Sequence, residues 1–309
     1  MNPFTKRRTE SVAAWGEEKL IAAIRGWLSN ASPSAPFGIG DDCAVLAPSR
    51  RLQLLTVDPV IYGRHFDDTV SPRAVGEKLL KRNLSDLAAM GGRPVAAVIA
   101  LTLDPRIRRD WLAKFHRSLA AVARQYHVKI VGGDVAQADG ILAASLTLLG
   151  EAAGSRVLTR TGARVGDAIY VTGTLGRSRA TGHHYRFVPR LAEGAWLASR
   201  SYVRAMIDVS DGLAKDLRAL APRKATPALF AEKLPLREGA DLHAALTEGE
   251  DYELLFILAS TANERIFEAA WRKRFPNTPL SRIGTFVAKG ASVAGTLDLG
   301  AYHGYEHLR

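Results

Sequence analysis

Aspartates end or interrupt hydrophobic segments at several well separated points along this chain. The first case is the stretch GIGDDCAVL, in which Asp41 and Asp42 lie between a flexible Gly-x-Gly and an apolar run. Two adjacent carboxylates at the entrance to a buried strand resist joint ionisation unless cations or hydrogen-bond donors offset their charge. The same arrangement recurs at Asp58, Asp86, Asp134, Asp208 and Asp211. The pattern predicts one shared site for metal ions and phosphate groups.

The ligand types in this set favour magnesium over zinc. Aspartates without a His or Cys cluster supply the oxygen ligands that hard cations prefer, and Mg²⁺ held in this way usually shares phosphate oxygens. Glycine-rich turns at residues 38–40, 132–133 and 173–176 would let backbone N–H groups approach those phosphates. Taken singly, Gly-Gly-Asp is also a common tight turn, and Asp-x-Ser-Asp-Gly is a common helix cap. The chain lacks both the GxxxxGK[ST] motif and a strand-linked GxGxxG motif, so a nucleotide site here belongs to another fold.

The length of 309 residues is enough for two domains of ordinary size. Apolar residues at helical spacing predict helices over residues 17–28 and 110–126, and Ser71-Pro72 predicts the start of a helix that runs to about residue 90. Predicted strands and helices alternate in this way up to about residue 150. A stretch rich in Gly, Ser, Arg and Thr at 152–165 precedes a second part with a similar alternation, which includes a predicted helix over residues 213–220. We therefore expect an α/β (α+β) protein with domains at 1–152 and 153–309.

The composition excludes some classes of protein. No apolar run approaches the roughly 20 residues that span a membrane, and the basic start lacks the apolar core of a signal peptide, so we expect a cytoplasmic protein with no membrane contact. The single cysteine, Cys43, precedes an apolar run and is expected to be a packed core thiol. The net charge of +11 fits nucleic acid, an anionic surface or small anionic substrates. Because the Lys and Arg residues are scattered and no nucleic-acid-binding motif is present, we expect no nucleic-acid partner.

Read together and in order, the motifs resemble those of the thiamine-monophosphate kinases. The resemblance runs from Trp15 almost to the C-terminus and rests on GIGDDCAVL, GRHF, NLSDLAAMG, GGD, LTRTGARVGD, YVTGTLG, IDVSDGL and GEDYELLF. NLSDLAAMG and GEDYEL, with IDVSDG between them, are the most specific. The superfamily also includes aminoimidazole ribonucleotide synthetase and selenophosphate synthetase. The resemblance implies an N-terminal lobe with a mixed sheet whose strands pair across a homodimer, a C-terminal α/β lobe, and ATP bound between them.

The same resemblance implies a reaction. A kinase of this family moves the γ-phosphoryl group of ATP to thiamine monophosphate and forms thiamine diphosphate. The acceptor is an already ionised phosphate, so no general base is expected among the side chains. Catalysis then depends on alignment and on Mg²⁺ ions that offset the charge of two polyphosphate groups.

Site residues follow from the resemblance position by position. The implied Mg²⁺ ligands are Asp42, Thr56, Val57, Asp58, Asp86, Asp134, Asp208 and Asp211. The implied ATP contacts are Gly133, Asp134, Arg160 and Ser210. The implied contacts to thiamine monophosphate are His65, Glu250 and Tyr305, with Glu250 accepting a hydrogen bond from the pyrimidine and Tyr305 stacking on a ring. Within the acidic pair, Asp41 is expected to support Asp42.

The chain departs from the family pattern at a few positions. Val57 stands where the family has a Thr and can offer a metal only its carbonyl, Glu248 replaces a Gly, and Leu308 replaces a Phe. The segment between residues 176 and 206 is also shorter than in the family. Two other hypotheses stay open at this stage: another ATP-dependent synthetase of the superfamily, or a basic nucleic-acid-binding protein. A selenophosphate synthetase would require a reactive Cys near the N-terminus, and none precedes Gly38.

Overall fold

The computed structural model describes residues 1–40, 43–291 and 293–306. The chain divides into two compact units. The first consists of Met1–Leu84 and Arg93–Glu151, and the second consists of Ser85–Gly92 and Ala152–Arg309. No helix in these described ranges is long and apolar enough to cross a membrane.

A four-stranded mixed sheet is the centre of the first unit. Its strands are β1 (Gln53–Ile61), β2 (Gly92–Leu103), β3 (Lys129–Gln137) and β4 (Leu142–Ala152), in the order β1-β4-β2-β3. Strand β1 pairs antiparallel with β4, whereas β2 and β3 are parallel. The parallel pair needs a crossover connection, and the helix between β2 and β3 supplies it.

Three long helices accompany this sheet: α1 (Gly16–Leu28), α2 (Pro72–Ala89) and α3 (Arg109–Gln125). Helix α2 begins where the sequence predicts, because the hydroxyl of Ser71 accepts a 3.1 Å hydrogen bond from the N–H of Ala74 and Pro72 fits the first helical position. Helix α3 buries Trp111 and Phe115, which stack at 5.6 Å. The predicted helices in this part of the chain are confirmed.

The two faces of strand β1 have different surroundings. Leu54 and Val60 are buried, whereas Leu55 and Val57 on the opposite face are 73% and 60% exposed. Side chains alternate along a strand, so Thr56 lies on the same face as the buried residues. The first unit thus has one sheet face in its core and a second, apolar face open.

A five-stranded antiparallel sheet forms the second unit. Its strands are β5 (Ala168–Thr172), β6 (Val203–Asp208), β7 (Ala225–Leu229), β8 (Leu254–Leu258) and β9 (Leu280–Ala288), in the order β6-β8-β5-β9-β7. The helices of this unit are α4 (His183–Arg186), α5 (Leu191–Ala198), α6 (Leu213–Leu220), α7 (Leu242–Thr247) and α8 (Glu264–Arg274). Helices combined with one mixed and one antiparallel sheet confirm the α+β class.

Strand β8 shows why this sheet is buried on both faces. Its five residues, LLFIL, are all buried, and they alternate between two cores. Leu255 and Ile257 pack in a core with Leu213 and Leu217 of α6, whereas Phe256 packs with the aromatic residues of α8. A continuous apolar run without alternation is typical of a strand covered on both sides.

Two local predictions are wrong. Residues 132–134 do not form a turn but lie within β3, where Gly133 pairs with Ile99 of β2. A Cβ atom on Gly133 would lie 2.2 Å from the carbonyl oxygen of Ile99, so the glycine serves close strand packing. Cys43 is exposed rather than packed in a core, because residues 43–49 run as a largely exposed loop. The N–H of Val45 bonds the carbonyl of Pro36 at 2.7 Å, which connects this loop to a neighbouring segment of the chain.

Candidate active site

The loop IDVSDG joins β6 to α6 in the second unit and carries two of the predicted metal ligands. Asp208 is the last residue of β6 and is 4% exposed. Its Oδ2 accepts a 2.6 Å hydrogen bond from the hydroxyl of Ser85. Asp86, the next residue on α2, is half-buried. Asp208 is therefore hydrogen-bonded to the residue that precedes Asp86 in the chain.

A carboxylate that the sequence reasoning did not identify holds the backbone of this loop. Asp216 on α6 accepts hydrogen bonds of 3.0 Å from the N–H groups of both Ser210 and Asp211. Burial raises the pKa of Asp216 to about 7, although these two N–H donors favour the charged form. Asp211 itself forms an ion pair of 2.7 Å with Lys215. Asp216 fixes the position of Ser210 and Asp211, and its sequence signal is its place in the first turn of the helix that follows the motif.

Two distant segments of the second unit are hydrogen-bonded to the same loop. The N–H of Glu250 bonds the carbonyl of Ser210 at 2.8 Å, and the N–H of Tyr305 bonds the carbonyl of Asp211 at 2.8 Å. Gly249 and Gly304 permit this approach, since a Cβ on either residue would lie 2.4 Å from a carbonyl oxygen of the loop. The structure therefore brings together Ser210, Asp211, Glu250 and Tyr305.

Arg160 lies near the strand that carries this loop, but it is exposed. The preceding residue, Thr159, accepts a 3.0 Å backbone hydrogen bond from Met206 of β6. This bond attaches the segment LTRTG to the sheet and leaves the guanidinium of Arg160 at the surface, where an anionic group can reach it.

In the first unit, Asp58 lies on β1 and forms an ion pair of 3.1 Å with Arg82 of α2. Arg82 also donates a hydrogen bond to the carbonyl of Pro59. Thr56 lies on the same strand face as Asp58, whereas the side chain of Val57 lies on the opposite, open face. A cation bound at Asp58 would thus compete with a guanidinium.

A pocket lies beside Gly133 and Asp134 in the first unit. Its walls are mainly apolar and include Ile21 of α1 and Ile99 of β2, and the buried His116 of α3 also lines it. The Nδ1 atom of His116 lies 2.9 Å from the carbonyl of Leu112, and burial lowers the pKa of His116 to about 4. The imidazole is therefore neutral at ordinary pH, with Nδ1–H donating. An apolar pocket with a carboxylate at its edge suits a flat ring attached to a charged group.

The remaining positions singled out in the sequence are His65, Asp42 and Leu308. His65 lies in the loop after β1, where its Nδ1 accepts a 3.1 Å hydrogen bond from the N–H of Ile61. Asp42, the proposed ligand in the first motif, lies outside the described residues, as does Leu308. In the described ranges no three Asp, Glu, His or Cys side chains form a group that could hold a metal ion.

The glycine-rich turn at residues 173–176 does not present all its N–H groups to a ligand. The N–H of Gly176 donates to both carboxylate oxygens of Asp251 at 3.1 Å. Arg237 also bonds Asp251, at 2.8 Å, while burial raises the pKa of Asp251 to about 6. This N–H therefore holds the fold of the second unit, contrary to the expectation that it approaches phosphate.

Comparison with known proteins identifies the family. Residues 40–152 match the family model described as AIR synthase related protein, N-terminal domain. The thiamine-monophosphate kinase of Salmonella typhimurium strain LT2 is 34% identical over 331 residues, covering 96% of this chain and 99% of the relative. The chain belongs to the thiamine-monophosphate kinase family. The family predicted from the motifs is thereby confirmed, and with it the prediction of an enzyme.

Solved structures of thiamine-monophosphate kinases share this fold. The enzyme from Stenotrophomonas maltophilia K279a is 32% identical with a TM-score of 0.73, covering 89% of this chain and 96% of that chain. A structure of AaThiL complexed with AMPPCP and TMP is 29% identical with a TM-score of 0.67, covering 95% of this chain and 99% of that chain. The similarity to these thiamine-monophosphate kinases thus extends over both units of the chain.

Proposed function

We propose that this chain transfers the γ-phosphoryl group of ATP to the phosphate of thiamine monophosphate and forms thiamine diphosphate. The observation that carries the proposal is the joining of the IDVSDG loop to Glu250 and Tyr305 by backbone hydrogen bonds of 2.8 Å. The loop that carries Asp208 and Asp211 thereby lies beside the segments that carry Glu250 and Tyr305, a carboxylate and an aromatic ring suited to an aminopyrimidine. The AaThiL complex with AMPPCP and TMP supports the same pair of substrates.

Magnesium is the cation that fits the proposed ligands. The donors are hard oxygens, and the hydroxyl of Ser85 already orients one carboxylate, that of Asp208. The residues proposed to hold Mg²⁺ are Asp42, Thr56, the carbonyl of Val57, Asp58, Asp86, Asp134, Asp208 and Asp211. Bound Mg²⁺ would offset the negative charge of the phosphate groups. Because no three of the described carboxylates form a ready cluster, phosphate oxygens are expected to complete the coordination.

The substrates are assigned to the remaining positions. Gly133, Asp134, Arg160 and Ser210 are proposed to contact ATP, and the pocket beside Asp134 has the apolar walls that suit a purine ring. Glu250, Tyr305 and His65 are proposed to contact thiamine monophosphate. Since the attacking phosphate oxygen is ionised at neutral pH, these residues need to align the substrates rather than remove a proton.

The functional form is proposed to be a homodimer in the cytoplasm, where ATP is available. Leu55 and Val57 are largely exposed on the open face of the first sheet, and Val98 on β2 is 40% exposed. Exposed apolar side chains on an open sheet face are a feature of protein interfaces. A second copy of this chain is proposed to pack against the open face of the first sheet.

An assay of the purified protein with ATP, Mg²⁺ and thiamine monophosphate tests the proposal. We expect thiamine diphosphate and ADP in equal amounts. Asp86→Asn should lower kcat by about a hundredfold or more, because it removes a charged ligand from a site that offsets charge in the transition state. Asp139→Asn, at an exposed position outside the site, is the matched control and should leave kcat unchanged. A folded wild-type protein that makes no thiamine diphosphate at saturating substrates would refute the proposed function.

A further inference from the structure

The loop that carries Glu250 is held in a conformation that its residues do not favour on their own. Glu250 has φ +56° and Tyr252 has φ +53°, so two residues that are not glycine occupy the left-handed region. Such residues have a cost in free energy and persist only where the surroundings hold them. The groups that hold this loop therefore influence where the Glu250 carboxylate lies.

One segment of the second unit, residues 176–187, contacts the loop at several points. Ser178 donates a 2.7 Å hydrogen bond from its hydroxyl to the carbonyl of Glu250. The Nε2 atom of His183 lies 3.2 Å from the carbonyl of Asp251, and the ring of Phe187 stacks on Tyr252 at 4.1 Å. The segment thus holds both the backbone and an aromatic side chain of the loop.

His184, from the same segment, contacts the carboxylate of Glu250. Its Nδ1 lies 2.9 Å from Oε2 of Glu250. The hydroxyl of Tyr252 lies 3.5 Å from Oε1, and Nε of Arg179 lies 4.0 Å from Oε2. Because an ionised carboxylate only accepts hydrogen bonds, Nδ1 of His184 must carry the donated hydrogen.

His184 and Glu250 differ in how accessible their side chains are to a ligand. The side chain of His184 is 6% exposed, so a ligand has little access to it, whereas the side chain of Glu250 is 20% exposed. A buried donor on one carboxylate oxygen restricts rotation of the group, and the partial exposure of the carboxylate lets a donor of the substrate approach it. The aminopyrimidine of thiamine monophosphate has such a donor in its exocyclic amino group.

We propose that His184 is a positioning residue for the substrate: its Nδ1–H holds the Glu250 carboxylate in the orientation that accepts the amino group of the pyrimidine. This inference rests on the proposed function. It assigns His184 to recognition of thiamine monophosphate and gives it no part in binding ATP or in the transfer itself.

A double-mutant cycle of His184→Ala and Glu250→Gln tests this assignment. We expect His184→Ala to raise the KM for thiamine monophosphate by about tenfold, with kcat and the KM for ATP changed less than about twofold. In the Glu250→Gln background, His184→Ala should raise the KM for thiamine monophosphate little further, because the carboxylate that His184 orients is gone. His184→Asn should have a KM for thiamine monophosphate close to the wild-type value, since its amide N–H can occupy the place of Nδ1–H. His243→Ala, at an exposed histidine of α7, is the control and should leave both KM values unchanged.

The outcomes separate the inference from the proposed function. A wild-type protein that makes no thiamine diphosphate overturns the proposed function and the inference with it. An active wild-type protein with an unchanged KM for thiamine monophosphate in His184→Ala overturns the inference alone. Equal, additive losses in the wild-type and Glu250→Gln backgrounds, or equal increases in both KM values, also overturn it, because they indicate a general structural role. Thermal unfolding of each variant checks that the protein is folded.

Discussion

The hydroxyl of Ser85 donates a 2.6 Å hydrogen bond to the Oδ2 atom of Asp208, across 123 positions of the chain. Both residues are buried, with exposures of 1% and 4%. Ser85 belongs to the motif NLSD on α2, and Asp208 belongs to IDVSDG at the end of β6. Two of the motifs that identify the family therefore meet through one hydrogen bond inside the second unit.

Loss of this bond should affect both stability and metal use. We expect Ser85→Ala to lower the free energy of unfolding by about 1–3 kcal/mol, because a buried carboxylate loses a donor. The Mg²⁺ concentration for half-maximal activity should rise, since Asp208 is less well oriented. Urea unfolding and Mg²⁺ titration of the activity measure the two effects. Ser118→Ala is a matched control, as the hydroxyl of Ser118 is also buried but bonds a helix carbonyl; equal effects of the two changes on Mg²⁺ use would contradict the prediction.

The two glycines before Asp134 should respond differently to substitution. A Cβ on Gly133 would lie 2.2 Å from a backbone oxygen of Ile99, whereas a Cβ on Gly132 would lie 3.4 Å from a side-chain methyl of Val98. We expect Gly133→Ala to lower the free energy of unfolding by about 1–3 kcal/mol and to raise the KM for ATP, because β2 and β3 must separate. Gly132→Ala should lower the free energy of unfolding by much less. Urea unfolding and steady-state kinetics compare the two variants, and equal losses would exclude this account.

His116 should make stability depend on pH. In the folded chain burial lowers its pKa to about 4, and in the unfolded chain it has the ordinary value near 6.5. Between these values the unfolded chain binds a proton that the folded chain does not, so stability is lost as pH falls from 6.5 towards 4. From about pH 7 to about pH 5 this contribution amounts to about 2 kcal/mol.

The variant His116→Phe isolates that contribution, because phenylalanine has a similar ring and cannot titrate. We expect the decrease in unfolding free energy between about pH 7 and about pH 5 to be smaller in the variant by about 2 kcal/mol. Urea unfolding at both pH values measures it. Equal decreases in unfolding free energy for wild type and variant between these two pH values would contradict the prediction.

The exposed face of the first sheet should mediate self-association. We expect wild type to sediment as a dimer and Leu55→Glu to shift it towards monomer, because a charge would be buried in the interface. The free energy of unfolding at low concentration should change little, since Leu55 is 73% exposed within one chain. Ile266→Glu, at another exposed apolar position, is the control. A monomeric wild type in analytical ultracentrifugation would contradict this prediction.

The elements that depend on local patterns could be predicted well. Helix α6 occupies the predicted residues, and α2 begins at its Ser-Pro signal, because capping and amphipathic spacing act within a few residues. The family could also be identified from motifs alone. These properties require no knowledge of which distant segments meet.

The sequence by itself determined most of the helices and the class of the fold, since these follow from residue type and short-range spacing. Its motifs also identified the family and led to the proposed site residues. Tertiary structure alone decided which partners these residues have. Asp216 holds the backbone of IDVSDG, His184 bonds Glu250, and Gly133 lies in a strand rather than a turn. Each depends on burial or on hydrogen bonds formed with other segments once the chain has folded, and spacing along the chain does not specify such partners.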